Sequence, residues 1–485
     1  MTDFKNQLYI NGAWRDSASG AVFDVINPFD ESVLSQCASA EVADAQDALT
    51  AAANAAPVWR GMTPRQRSVI LRKAFDLMTA RLQEFAELIT LENGKAKTDA
   101  MGEATYAAEF FRWFSEEAVR ADGNLTMAPA SGARILVHQK PAGIAYLITP
   151  WNYPAAMGTR KIAPALAAGC TVIVKPASET PLSLLALAAL LEEAGVPAGV
   201  VNILPSQKPA EISEVIMNDP RVRVVSFTGS TGVGRNLLKL AANQVLTPAM
   251  ELGGNAPIII FDDADIENAV GGAMLANMYS TGQVCSNGTR VFVQSGIKKA
   301  FLKRFAERAA KIKIGDPMNE ETQFGPMVSE KQRDIVMKYI AKGKAEGATL
   351  ICGGNIIEGD GWFIEPTVFS DVTDNMTIAK EEIFGPVMSV FEFDNENEVI
   401  ARANNTNLGL AGGVFTNDIK RAHRVVDELE AGTCFINSYN DAPVEAPFGG
   451  VKDSGVGREN SKAAIEHYSQ LKTVYVRMGN VESPY

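Results

Sequence analysis

Cys285, in Gly282-Gln283-Val284-Cys285-Ser286-Asn287, and Glu251, in Met250-Glu251-Leu252-Gly253-Gly254, form the pair in this chain best suited to chemistry. A thiolate attacks carbonyl carbon, and a carboxylate within reach activates the water that releases an acylated cysteine. Each has a plainer reading alone: a buried cysteine is commonly an inert small hydrophobe, and a glutamate before a Gly-Gly turn a solvated charge. Asn152, in Thr149-Pro150-Trp151-Asn152-Tyr153-Pro154, adds a side-chain N–H donor of the kind that stabilises a developing oxyanion by about 3 kcal/mol. Its alternative is an Asx-turn asparagine in a proline-flanked loop.

Two further loops suit a phosphate-bearing ligand. Thr228-Gly229-Ser230-Thr231-Gly232-Val233-Gly234 follows an apolar run and leads into a helical pattern, so its glycines let backbone N–H groups approach a phosphate at the positive helix end. The spacing is not G-x-G-x-x-G, and a tight turn would also explain it. Val174-Lys175-Pro176-Ala177-Ser178 likewise ends an apolar run with polar side chains. Two such edges side by side favour a dinucleotide, because open α/β sheets bind nucleotides at their carboxyl edge.

These loops need a sheet to hold them, and the chain alternates accordingly. Strands are expected at 145–148, 171–174, 200–203 and 224–227, with helices near 161–168, 182–193, 211–217 and 233–242. A second α/β region enters near Glu251, with strands at 257–261, 290–293 and 412–415 and helices at 266–278, 298–312 and 418–429. Short apolar strands separated by helices imply parallel sheets covered on both faces. Residues 125–138 read as less regular. The strand at 471–476 has little chain left to pair with it, so it extends a neighbouring sheet or another subunit's edge.

Composition excludes several function classes. The chain has 485 residues, 46% of them hydrophobic, which calls for two or three domains. A net charge of -12 argues against nucleic-acid or anionic-membrane partners. The apolar stretches at 162–174 and 182–191 fall short of the roughly 20 residues a membrane helix needs. Five cysteines without a C-x-x-C, and only three histidines, argue against a disulfide scaffold or a metal centre and suit a reducing cytoplasm. Neither Met1-Thr2-Asp3-Phe4-Lys5-Asn6 nor Glu482-Ser483-Pro484-Tyr485 reads as a targeting segment.

Taken together, Pro150-Trp151-Asn152, Lys175-Pro176, Phe227-Thr228-Gly229-Ser230, Glu251-Leu252-Gly253-Gly254, Gly282-Gln283-Val284-Cys285, Glu382-Ile383-Phe384-Gly385-Pro386 and Pro447-Phe448-Gly449-Gly450 resemble the NAD(P)-dependent aldehyde dehydrogenase superfamily in order and spacing. Met278 departs slightly from that family's cysteine signature. The resemblance implies an α/β fold with a Rossmann-like dinucleotide-binding domain (1–121 and 142–253), an α/β catalytic domain (254–460) and a small β oligomerisation arm (122–141 and 461–485), assembled as a homodimer or homotetramer. It implies that Cys285 attacks the aldehyde, that Asn152 and the Cys285 N–H hold the oxyanion, and that Glu251 activates the hydrolytic water, with Glu459 relaying protons from it. Trp151, Lys175, Ser178, Gly229, Ser230, Gly234, Glu382 and Phe384 would bind NAD or NADP. Relatives that pass the acyl group to coenzyme A generally lack the glutamate present here as Glu251, so hydrolysis to a free acid is expected. NAD-selective relatives usually carry a glutamate where this chain has Ser178. A serine leaves room for a 2'-phosphate, so NADP should be accepted.

The residues expected to face the aldehyde point two ways. Tyr153, Tyr279 and Phe448 match three positions of the aromatic box in betaine aldehyde and 4-trimethylaminobutyraldehyde dehydrogenases, where cation–π contacts hold a quaternary ammonium. Arg160 stands where those enzymes typically have tryptophan, and it resembles the carboxylate-binding arginine of succinate-semialdehyde dehydrogenases. Those commonly carry a second arginine where this chain has Tyr279. A small ω-substituted aldehyde of the betaine aldehyde or aminoaldehyde type is set ahead of an anionic semialdehyde, either a carboxylate or a sulfonate. A structural ion-pair role for Arg160 at a helix start is the plainer alternative. A non-catalytic protein on the same fold would be expected to lose the nucleophile, the carboxylate or the nucleotide turn, and all three are present.

Overall fold

The computed structural model describes residues 4–120, 123–481 and 483–485. The readings of residues 1–3 and of Glu482, and the domain boundary expected between 121 and 122, lie outside the described residues.

Five parallel strands form the heart of the first sheet, in the spatial order Val201–Ile203, Thr171–Lys175, Ile144–Ile148, Val222–Thr228, Thr247–Glu251. All but the flanks are buried along their length, which explains the unbroken apolar runs in the sequence. Chain order reverses between Ile144–Ile148 and Val222–Thr228. A crevice opens at such a switch point, and the loops leaving these two strands carry Trp151-Asn152 and Gly229-Ser230. Short antiparallel strands close both edges: Leu8–Ile10 with Ala13–Arg15 at one, and Gly455–Val456, returning from late in the chain, at the other.

The second sheet runs Thr349–Cys352, Thr367–Ser370, Val387–Phe393, Arg290–Gln294, Pro257–Ile260, Ala411–Phe415, Thr433–Ile436, parallel except for the first pair. Cys285 and the Glu382–Pro386 segment lie in loops that enter strands of this sheet, whereas Asn152 and Ser230 lie in loops that leave strands of the first. The amino edge of one sheet therefore meets the carboxyl edge of the other.

Two local expectations change. Residues 125–138 are regular after all: Asn124–Met127 and Arg134–Pro141 pair antiparallel, and Ser469–Val476 adds a third strand in register from Ser469↔Pro141 to Val476↔Arg134. Both faces of this sheet are largely exposed, so the apolar alternation that marks a half-buried strand is weak there. The helix expected near Lys161 starts earlier and spans Pro154–Ala168, with Pro154 in its first turn. Arg160 thus sits in the helix interior instead of at its start.

Ahead of the first sheet stand four helices, Val42–Gly61, Pro64–Ala80, Leu82–Asn93 and Lys97–Glu117. Thr63 and Gln66 form a reciprocal capping box at the second. Gly94, at φ 86°, ends the third in the left-handed conformation that glycine adopts without penalty. Among the described residues no helix is long and apolar enough to cross a membrane.

Candidate active site

The two sheet edges enclose two cavities that share a wall. One, of about 250 Å³, is lined by Trp151, Gly229, Ser230, Gly253, Gln332, Glu382 and Phe384 among others. The second, of about 360 Å³, is lined by Tyr106, Tyr153, Met157, Arg160, Tyr279, Phe435, Phe448 and neighbours. Asn152, Thr228 and Cys285 line both.

The first cavity has the chemistry of a dinucleotide cleft. Trp151 and Phe384 meet edge to face with centroids 5.2 Å apart, giving apolar walls of the kind a flat ring occupies. Ser230 precedes the helix Thr231–Ala241, whose first N–H groups are ready to receive a phosphate. Glu382 is held by the Gly254 N–H at 3.0 Å, and burial pushes its carboxyl up to about 7. A side chain at Gly253 would overlap that carboxylate, so the Glu382 side chain would have to shift to admit one. A side chain at Gly234 would likewise run into Leu252, which places this glycine in helix–strand packing. The Thr228 hydroxyl is buried in the shared wall without a partner among the described residues, a polar group left for a ligand. Lys175 ends the strand Thr171–Lys175 and Ser178 follows it; Ile144–Ile148 separates that strand from Val222–Thr228, so the two edges expected side by side lie one strand apart. Burial draws the Lys175 ammonium down to about 8, against the pull of Glu179, while the Ser178 hydroxyl donates to Glu179 at 3.4 Å. These residues fit NAD or NADP.

Cys285 is presented by a strained turn. Ser280, Thr281 and Gly282 all take positive φ (49°, 57° and 70°), and non-glycine residues in that region cost of order 1–3 kcal/mol each. Hydrogen bonds from outside hold the turn. Asp99 accepts from the Ser280 N–H at 2.9 Å, Thr281 donates to the Gly325 carbonyl at 3.0 Å, and Asn287 donates to the Gly282 and Gly385 carbonyls at 2.7 and 3.2 Å. The Asn152 amide, buried beside the thiol, donates to the Gln283 carbonyl at 2.9 Å. Burial pushes the Cys285 thiol up to about 12, with the Arg160 guanidinium opposing.

Glu251 does not line either cavity. It ends the strand Thr247–Glu251 behind Cys285, close enough for its charge to act on the thiol, and one of its oxygens is buried with no partner. Burial, then repulsion from Glu459, raise its carboxyl well above the ordinary range; Arg160 and Lys161 oppose. Glu459 behaves oppositely. Burial alone would raise it, but Lys161, which is bonded to it directly, and Arg160 at 3.7 Å hold it below the ordinary range.

Arg160 is buried, donates to the Tyr106 hydroxyl at 2.8 Å and stacks on Phe448 with 4.8 Å from guanidinium to ring centroid. Its Nε has no partner among the described residues. Sequence reasoning brought Tyr153, Tyr279 and Phe448 here, but not Asp99, Glu103, Tyr106 or Lys161. The first three recur at helical spacing along Lys97–Glu117, yet two acidic residues on one stripe look like a solvated face.

A model of the aldehyde dehydrogenase family matches residues 14–474. The chain is 50% identical over 492 residues to a betaine aldehyde dehydrogenase of Rhizobium etli, covering 99% of each. Among solved structures, an NADP-dependent enzyme of E. coli superposes with a TM-score of 0.96 at 42% identity, covering 98% of both chains. A succinate-semialdehyde dehydrogenase of Burkholderia pseudomallei does so with 0.96 at 42%, covering 99% of this chain and 100% of that one.

Proposed function

The chain belongs to the aldehyde dehydrogenase family and is an NAD(P)-dependent aldehyde dehydrogenase; from that premise we propose that Cys285 attacks the aldehyde and that Glu251 later activates the water releasing the acid. The observation that carries this assignment is the meeting of the two cavities at Cys285, Asn152 and Thr228. An aldehyde in the larger cavity reaches the thiol there, and the Asn152 amide with the Cys285 N–H holds the oxyanion of the thiohemiacetal. Trp151, Ser230, Glu382 and Phe384 would hold NAD or NADP in the smaller cavity, where it would supply the hydride acceptor needed to take the thiohemiacetal to the thioester. Glu251, with its free oxygen, takes the proton of the attacking water and passes it toward Glu459.

For the cofactor we place Lys175 and Ser178 at the adenosine ribose, Ser230 at the pyrophosphate, and Glu382 with Phe384 at the nicotinamide end. Since no carboxylate occupies position 178, both NAD and NADP are used. Ser178→Glu should weaken NADP about 10-fold or more while changing NAD by less than about 3-fold, because a carboxylate repels the 2'-phosphate. Fluorescence titration of both cofactors checks it. Equal losses for the two would remove Ser178 from the ribose site.

The substrate is a small ω-substituted aldehyde bearing a cationic group, of the betaine aldehyde or aminoaldehyde type. Tyr106, Tyr153, Tyr279, Phe435 and Phe448 surround the cavity, and Asp441 on its lining carries no ion pair or hydrogen bond among the described residues. Arg160 repels such a substrate less than its type suggests, since Glu459 and the Phe448 ring already engage its charge. A second reading, an anionic semialdehyde, has one observation in its favour: the unpartnered Arg160 Nε. Catalytic efficiency for betaine aldehyde, 4-trimethylaminobutyraldehyde, succinate semialdehyde and a neutral aldehyde, in wild type and Arg160→Trp, separates the two. The cationic substrates should lead in wild type and gain about 3-fold or more in the variant. A wild-type preference for succinate semialdehyde that collapses in Arg160→Trp would establish the anionic alternative.

Five free cysteines support a cytoplasmic enzyme. The outer strand Ser469–Val476, with Leu471 75% and Tyr475 70% exposed, supports a homodimer or homotetramer joined through the three-stranded sheet. In this assignment 1–121 with 142–253 is the dinucleotide-binding domain, 254–460 is the catalytic domain, which carries the nucleophile and adds Glu382 and Phe384 to the cofactor cleft, and 122–141 with 461–485 is the arm.

A further inference from the structure

Between the helices Leu82–Asn93 and Lys97–Glu117 the chain makes one tight turn, closed by Gly94. The turn and the start of the next helix reach the loops on both sides of the reacting centre. Lys95 is 1% exposed. Its ammonium donates to the main-chain carbonyl of Asn152 at 2.7 Å and to Glu103 at 2.6 Å, and lies 3.8 Å from the centroid of the Tyr153 ring. The other oxygen of Glu103 accepts the Ala155 and Ala156 N–H groups at 2.9 and 3.2 Å. Those are among the orphan donors at the start of the helix Pro154–Ala168, where negative charge is favoured. Asn93 adds a bond to the Trp151 carbonyl at 3.0 Å. One turn before Glu103 on the same helix, Asp99 takes the Ser280 N–H of the cysteine turn.

A buried Lys–Glu pair is no stability device in itself, since well-packed apolar residues of similar volume often do as well. What this pair holds is the backbone that follows the Asn152 side chain: the carbonyl of Asn152 through Lys95, and the first turn beyond Tyr153 through Glu103. A reacting group displaced by about 1 Å can lose 100-fold in rate. We propose that Lys95 and Glu103 are positioning residues for the oxyanion donor, fixing the Asn152–Ala156 backbone so that the Asn152 amide stays beside Cys285; this rests on Asn152 being that donor. Asp99 steadies the facing wall of the same gap.

The test uses two cofactor-free reactions of Cys285 in the full-length enzyme. Acylation by 4-nitrophenyl acetate passes through a tetrahedral oxyanion, whereas alkylation by iodoacetamide does not. Replacing both partners, Lys95→Met with Glu103→Gln, avoids leaving one buried charge unpaired. In that variant acylation should slow about 30- to 100-fold while alkylation stays within about 3-fold of wild type. On an Asn152→Ala background the same pair of changes should slow acylation by less than about 3-fold, because the group it positions is gone. Equal slowing of acylation and alkylation, or full additivity with Asn152→Ala, overturns the positioning role. Normal acylation in Asn152→Ala alone instead removes the oxyanion assignment and the proposal with it. If the paired variant does not fold, Lys95→Arg, which keeps the charge but moves the donor, must slow acylation selectively; unaltered acylation there also overturns the proposal.

Discussion

Cys285→Ala should bind NAD(P) as wild type does and form no detectable NAD(P)H with any aldehyde, a loss of about 10⁵-fold or more, as expected when a covalent nucleophile is removed. The expectation is specific to this cysteine for geometric reasons. Cys37 and Cys170 are packed in the core, with the Cys170 thiol donating to the Tyr468 carbonyl at 3.2 Å, and Cys352 lies on an edge strand. Acidity would not have chosen Cys285. Its thiol is pushed up to about 12, as is that of Cys37, and Cys434 stands at about 11. What separates Cys285 is that it alone among the five lines both cavities, with an amide donor alongside. Cys434→Ala should therefore keep activity within about 2-fold, the ordinary effect of a small change away from the site. The sign of the pH dependence follows from the same burial. A thiol raised to about 12 and a carboxyl raised above its ordinary range gain their reactive, ionised forms as pH increases, so acylation and turnover should climb with pH across the neutral and alkaline range. Stopped-flow measurement of NAD(P)H formation checks both points; measurable turnover by Cys285→Ala, or a rate that falls across that range, would contradict them.

Glu251→Gln should separate the two halves of the reaction. Glutamine keeps the shape but cannot accept a proton, so hydrolysis of the thioester should slow about 10²- to 10³-fold while the first turnover still produces about one NAD(P)H per active site. The change also removes the carboxylate that Glu459 repels, so the variant should fold as well as wild type. A burst of normal amplitude followed by slow turnover is the expected trace. Loss of the burst would mean that Glu251 serves chiefly to deprotonate Cys285, in keeping with the reach of its charge to the thiol.

Much of this site could be read from the sequence because its parts sit at strand ends. Trp151-Asn152 and Gly229-Ser230 follow predominantly buried strands, so the parallel-sheet pattern already put them on one edge. The facing groups were harder to see. Lys95, Glu103 and Tyr106 come from a helical region ahead of both sheets, and their inward direction depends on a left-handed glycine and on packing against the helix Pro154–Ala168. The glycine leaves a local trace, as a helix-ending residue, but the packing leaves none. Arg160 shows the same limit differently. Its type suggested an ion-pair partner or a substrate anion, while its engagement with Tyr106, Phe448 and Glu459 depends on residues 54, 288 and 299 positions away in the chain. The strand Ser469–Val476 was visible, but its partner lies more than 300 residues earlier.

The covalent role of Cys285 can be seen directly by intact-mass and peptide-mass analysis of Glu251→Gln mixed with NAD(P) and an aldehyde substrate, then quenched in acid. The chain should gain the mass of the aldehyde less two hydrogen atoms, on the peptide containing Cys285, in step with one NAD(P)H per site. NAD(P)H formed at that stoichiometry with Cys285 unmodified, or with the added mass on another residue, would contradict it.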